Sequence, residues 1–130
     1  MGVVQDDGRA AAILGRKARG LLAFDETLAE LADADCADAL AAVIAERMRL
    51  RQELVTRALE AESDEVISVM CAAAGFRVNS YSAVLRLRRR RHLGAHTAPP
   101  EALTFFSSLT RTAAEKLLPR LVAGLVSRAR

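Results

Sequence analysis

Apolar residues recur every three or four positions along almost the whole chain, the spacing of one helix face. Ala11, Leu14, Ala18 and Leu21 form the first such stripe, behind the candidate caps Asp6 and Asp7, and Gly20 loosens the chain after it. Asp25 is expected to cap a short helix carrying Leu28 and Leu31, with Glu26 in its positive first turn. A connection around Asp33 to Asp38 leads into one long helix, expected to reach about Ala61. Its stripe is Leu40, Val43, Ile44, Met48, Val55, Ala58 and Leu59. Its outer face carries Glu46, Arg47, Arg49, Glu53 and Arg57, with Glu53 and Arg57 in the favourable acid-before-base order.

Ser63 is the expected N-cap of the next helix, with Asp64 and Glu65 in its first turn and Gly75 at its end. Asn79 or Ser80 caps the one after, which runs through Val84, Leu85 and Leu87 to Gly94. Leu85 to Arg88 alternates as a strand would, but no second strand is there to pair with it. Pro99 and Pro100 pre-set the first turn of a helix bearing Leu103 and Phe106. Thr112 and Glu115 have capping-box spacing, and Pro119 interrupts or kinks the last helix. The pattern predicts an all-α fold of six to seven helices, either an irregular bundle or a short stack of helical hairpins.

With 130 residues the chain suits one domain, and an apolar fraction of 52% is enough for a core without staples. Because only 4% is aromatic and Trp is absent, that core must be aliphatic and rich in Ala. The net charge of +3 hides a strong asymmetry. Every charge from Asp25 to Asp38 is negative, and every charge between Glu65 and Glu101 is positive. These two segments are complementary, so they can pair within one chain or between two copies in a homodimer. The acidic start of the chain is unlike a signal peptide, and the uncharged run from Val66 to Phe76 is too short for a bilayer of about 30 Å. Cys36 and Cys71 stand in no metal or redox spacing and read as reduced thiols. A cytoplasmic protein with no membrane partner is expected.

Candidate chemistry is sparse. His92 and His96 are four apart, but Gly94 lies between them and no further ligand is near, so they read as exposed residues at a helix end. Ser107, Ser108, Thr110 and Thr112 lack a base or a glycine elbow and read as loop and cap residues. The carboxylates from Asp25 to Asp38 lack calcium-loop spacing. No enzyme, metal or cofactor is expected. The one candidate docking site is Arg86, Arg88, Arg89, Arg90 and Arg91, which would receive an anionic partner. On a helix these arginines point around the whole circumference. Tyr81 and Val84 are expected in the core, and the final turn from Arg88 to Arg91 in solvent, because an unpaired buried guanidinium is very costly. The span from Glu65 to Arg91 also has a helix–turn–helix look, with Cys71 and Gly75 at the small-residue and turn positions. There Asn79, Ser80 and Ser82 would face the bases.

The stretch from Ala18 to Ala32 resembles one common in an uncharacterised, mostly alphaproteobacterial family, domain of unknown function 2336. Two further stretches carry the likeness, Cys71 to Phe76 leading into Val84 to Arg88, and Leu109-Thr110 followed by Ala114 to Leu117. The resemblance implies helical, HEAT-like repeats over about Ala18 to Leu118, matching the C-terminal part of longer relatives. It departs where this chain has Phe24-Asp25 in place of two adjacent aromatics, and it brings no catalytic residues. The expected function is a non-catalytic protein–protein interaction or adaptor module. Nucleic-acid binding through Arg86 to Arg91 is the alternative.

Overall fold

The structure, a computed structural model, describes residues 8–91 and 99–128, with the side chains of residues 99, 100, 127 and 128 left aside. Among the described residues there are eight α-helices and no strand. They are α1 (Arg9–Ala18), α2 (Phe24–Asp33), α3 (Ala37–Met48), α4 (Gln52–Glu60), α5 (Glu65–Ala73), α6 (Val78–Arg90), α7 (Pro99–Ser108) and α8 (Arg111–Arg128). The all-α expectation holds, but the count is eight and not six to seven.

The extra helix comes from the expected long helix, which is two. Arg49 turns left-handed (φ 56°) after α3. Leu50 then donates its N–H back to the carbonyl of Ala45 at 2.9 Å, and α4 starts two residues later. The same six-residue return closes α1 at Gly20, α2 at Asp35 and α5 at Gly75, with the following N–H groups of Leu21, Cys36 and Phe76 bonded to Arg16, Leu31 and Cys71. Gly20 and Gly75 (φ 78° and 85°) take this conformation without a Cβ penalty. Asp35 and Arg49 bear one, and Arg49 gives no composition signal that a helix stops there.

Several caps sit one or two residues from where the sequence suggests. Ala23, not Asp25, is the N-cap of α2, and Glu26 reaches back to its N–H at 2.9 Å. Asp64 is the N-cap of α5, with Ser63 Oγ accepting from the Glu65 N–H at 3.0 Å. Arg77 precedes α6, so neither Asn79 nor Ser80 caps it. Thr110 Oγ1 accepts from Ala113 N–H at 3.0 Å and begins α8 in place of Thr112. Pro119 lies inside α8, which continues through it.

Helix α5 is the centre of the fold. Every residue from Val66 to Ala73 is buried, against α4, α7 and α8. α2 and α6 form a second tight pair, and they run parallel. At their starts Asp25 accepts the Arg77 N–H at 2.9 Å and its carbonyl accepts Ser80 Oγ at 2.8 Å. At their ends Arg86 forks onto Asp33 at 3.0–3.2 Å. Buried Leu28, Leu31, Leu40, Ile44, Ile67, Met70, Val84 and Leu87 belong to one aliphatic core cluster. Tyr81 and Phe106, stacked at 4.2 Å, are its aromatic part on the α7 side.

Because successive helices run back and forth, their connections gather at two ends. One end holds the α1–α2, α3–α4, α5–α6 and α7–α8 connections. Three contacts join them. Phe24 meets Phe76 edge-on at 5.8 Å, Arg47 lies 4.3 Å over the Phe24 ring, and Gly75 approaches Arg111. The opposite end holds the α2–α3 and α4–α5 connections and the last turn of α6.

Candidate functional site

The structure divides the five arginines of the expected docking site, and most of them serve the fold. Arg88 is fully buried at 0% exposure. Its Nε and Nη2 hold Asp64 at 3.0 and 2.9 Å, Nη2 donates to the Ala61 carbonyl at 3.0 Å, and Nη1 donates to the Leu59 carbonyl. Those carbonyls end α4 and have no partner within their own helix. Arg88 is thus the C-cap of a different helix, with Asp64 neutralising its charge. The expectation that Arg88 projects into solvent is overturned. Burial is tolerable because the pair and every donor direction are satisfied.

Three of the other arginines close the end of α2. Arg86 pairs with Asp33, Arg91 Nε with Asp35 at 2.7 Å, and Arg90 Nη2 donates to the Ala32 carbonyl at 2.5 Å. Carboxylates at a helix C-terminus oppose its dipole, and two parallel helices bring two negative ends together. A run of arginines at that place offsets both effects. The acidic and basic segments of the sequence therefore pair here within one chain. Arg89 is half-buried and makes no ion pair among the described residues.

The helix–turn–helix look is real as local geometry, since α5, the Gly75 turn and α6 follow one another. The second helix is not free, however. Ser80, Tyr81, Ala83, Val84, Leu85, Leu87 and Arg88 are buried, against α2 and α7, and Ser80 is spent on Asp25. His92, His96 and Gly94 lie outside the described residues. Among the described residues no group of three or more His, Cys, Asp or Glu side chains is placed to hold a metal ion. No helix of the described residues is long and apolar enough to cross a membrane.

The buried polar groups are also engaged. Ser68 and Tyr81 share a hydrogen bond between hydroxyls, and burial pushes the Tyr81 phenol up to about 12, partly countered by that bond. Burial likewise raises the Cys71 thiol far above its ordinary value, with Arg88 opposing it. A thiol held neutral in this way is a packing group and not a nucleophile. Ser108 Oγ donates to the Phe105 carbonyl at 2.6 Å, and with Thr110 at the α8 cap these hydroxyls do the local work expected of them.

Sequence reasoning missed the end that holds the α1–α2, α3–α4 and α5–α6 connections. The charges in its connections are Arg19 between α1 and α2, Arg49 and Arg51 between α3 and α4, and Arg77 between α5 and α6. Every one is an arginine. All four are exposed, as is Arg47 above Phe24, and none of the five makes an ion pair among the described residues. Leu21 and Val78 stand out of the same end at 62% and 44% exposure. Beside it a groove of about 260 Å³ opens between α1 and α3, walled by Leu14, Ala18, Ala42 and Val43, with Lys17 and Glu46 also lining it. Gly20 and Gly75 mark two of these connections in the sequence, but the third turns on Arg49 and is invisible there. A second groove between α1 and α2 is bridged by Arg16 and Glu30 at 2.5 Å.

Comparison with family models, with curated proteins and with solved structures finds no match to this chain.

Proposed function

We propose that this chain is a non-catalytic helical docking module whose partner is another protein. The observation that carries the reading is the charge at the end where α1–α2, α3–α4 and α5–α6 connect. Four exposed arginines there make no side-chain ion pair among the described residues, beside exposed Leu21 and Val78. Exposed guanidiniums next to apolar side chains are what partner surfaces use as anchors. The back-and-forth order of helices fits a short stack of helical hairpins in the HEAT-like manner of the family that residues 18–118 resemble. Nucleic acid is the second reading, favoured by the same unpaired arginines. At Arg86, Arg90 and Arg91 a phosphate would have to displace Asp33, Asp35 and the Ala32 carbonyl.

Affinity capture from the native lysate, with and without nuclease, tests the two readings. One protein recovered in stoichiometric amount after nuclease treatment supports the docking module. Recovery that vanishes with nuclease supports the second reading, and recovery of nothing overturns both.

A further inference from the structure

The groove between α1 and α3 ends at the arginine-bearing connections. Its apolar wall comes from Leu14 and Ala18 on one helix and Ala42 and Val43 on the other. At about 260 Å³ it is smaller than the ~300 Å³ at which small-molecule pockets begin, the size for one or two side chains. Lys17 and Glu46 line it. Arg19, which follows Ala18, and Arg47, which follows Glu46, put the excess of charge beside it on the positive side. Resting on the docking reading above, we infer that this end takes an acidic segment of the partner protein that carries an apolar anchor. The anchor side chain enters the α1–α3 groove, and flanking carboxylates meet Arg19, Arg47, Arg49 and Arg51.

Charge complementarity selects this occupant. Arginine presents a planar fork of donors that matches a carboxylate in two parallel hydrogen bonds. A nucleic acid would match the arginines but leave the apolar groove unused. Phe24, beside these arginines, also offers it little face for base stacking, because the ring is covered by Arg47 and abutted by Phe76. An anionic bilayer would meet Leu21 and Val78 at the tips but not a groove on the flank between two helices. An acidic peptide with one apolar side chain uses both features together.

The test uses the full chain, isotope-labelled, and a dye-tagged short synthetic peptide of glutamates around one leucine. Controls are the same peptide with serine for that leucine, phosphatidylglycerol vesicles and duplex DNA. Expected are amide shifts at Ala18, Arg19, Val43, Arg47 and Arg51, binding that weakens with salt, and loss of about tenfold affinity for the serine peptide. Arg19→Glu with Arg51→Glu should also weaken binding by about tenfold or more, as should Ala18→Gln by filling the groove. Arg86→Gln at the other end should leave peptide binding unchanged. If charge reversal disturbs the helical circular dichroism spectrum, Arg19→Gln with Arg51→Gln replaces it. No binding at low salt, shifts confined to the Arg86 end, or tighter binding of vesicles or DNA than of the leucine peptide would overturn the inference. A partner captured from lysate equally well by the Arg19 and Arg51 variants would also overturn it while leaving the docking module standing.

Discussion

At one end of this molecule Arg86, Arg88, Arg90 and Arg91 are held by Asp33, Asp35, Asp64 and the last carbonyls of α2 and α4. At the other end Arg19, Arg49, Arg51 and Arg77 are exposed and make no ion pair among the described residues. The first set is a conspicuous run in the sequence, and the second is four scattered residues. The run is explained by the two parallel helix ends and the acids beneath it, which demand cations. In the scattered set Arg19 and Arg49 also stand at helix C-termini, those of α1 and α3. None of the four is held by a carboxylate side chain among the described residues, however, so this set is the better candidate for recognition. A density of like charge along a chain is therefore a poor guide to where charge is free in the fold.

The comparison breaks most sharply at Arg88. Arg88→Met removes the cation that neutralises buried Asp64 and strips the donors from the carbonyls of Leu59 and Ala61. A loss of about 3–5 kcal/mol in urea unfolding is expected. Removing both charges together, Arg88→Met with Asp64→Leu, should recover a large part of it. A loss below about 1 kcal/mol for Arg88→Met would show that the cap and the pair contribute little.

The hydroxyl pair of Tyr81 and Ser68 lies in the same buried region and gives a pH test. The Tyr81 phenol sits at about 12 in the fold against 10 in the open chain, so folding favours the protonated form. That contribution is complete below pH 10 and is lost as pH rises through 12, about 2–3 kcal/mol in all. Unfolding free energy measured from pH 9 to 12 should fall accordingly, and Tyr81→Phe should flatten that part of the slope.

Most of the fold was legible because it depends on periodicity. The helices around Leu28, Ile67, Val84 and Phe106 sit where their stripes place them, and Gly20 and Gly75 stop helices as glycines do. What was hidden depends on tertiary partners. The break at Arg49 has no glycine. Its only trace is the stretch from Glu46 to Glu53, in which no residue is buried. The burial of Arg88 was hidden for a similar reason. Its partner Asp64 read as a first-turn acid of α5, and nothing local shows that the end of α4 lies against α6. The basic end was hidden twice over, since finding it requires knowing where all four connections fall.

Left-handed stops give an intermediate effect that compares a glycine with an arginine in the same role. Gly75→Ala meets only ordinary contact with Arg111, so its cost of about 1–2 kcal/mol is conformational. Arg49→Gly relieves the same strain and should raise stability by about 0.5–1 kcal/mol. It also removes one of the arginines of the basic end, so thermal stability and partner affinity should move in opposite directions. Both rising together would remove Arg49 from the docking surface.

The smallest expected effects separate the two ends by stability alone. Arg86 and Asp33 are each about half exposed, so water and salt screen their pair, and Arg86→Gln should cost no more than about 1 kcal/mol at low salt. Arg19→Gln and Arg51→Gln remove side chains that pair with nothing among the described residues, and each should change stability by less than about 0.5 kcal/mol. Arg51 is the N-cap of α4, where the dipole adds to the repulsion of like charges, so its sign should be toward stabilisation, and more so at low salt than at high. At Arg19, the C-cap of α1, the two effects oppose. The pattern to measure is thus opposite in sign, with Arg86→Gln losing stability as salt falls and Arg51→Gln gaining it. Matching signs at the two ends would mean that the arginines of the basic end have carboxylate partners in solution, and that their charge is not free for a docking partner.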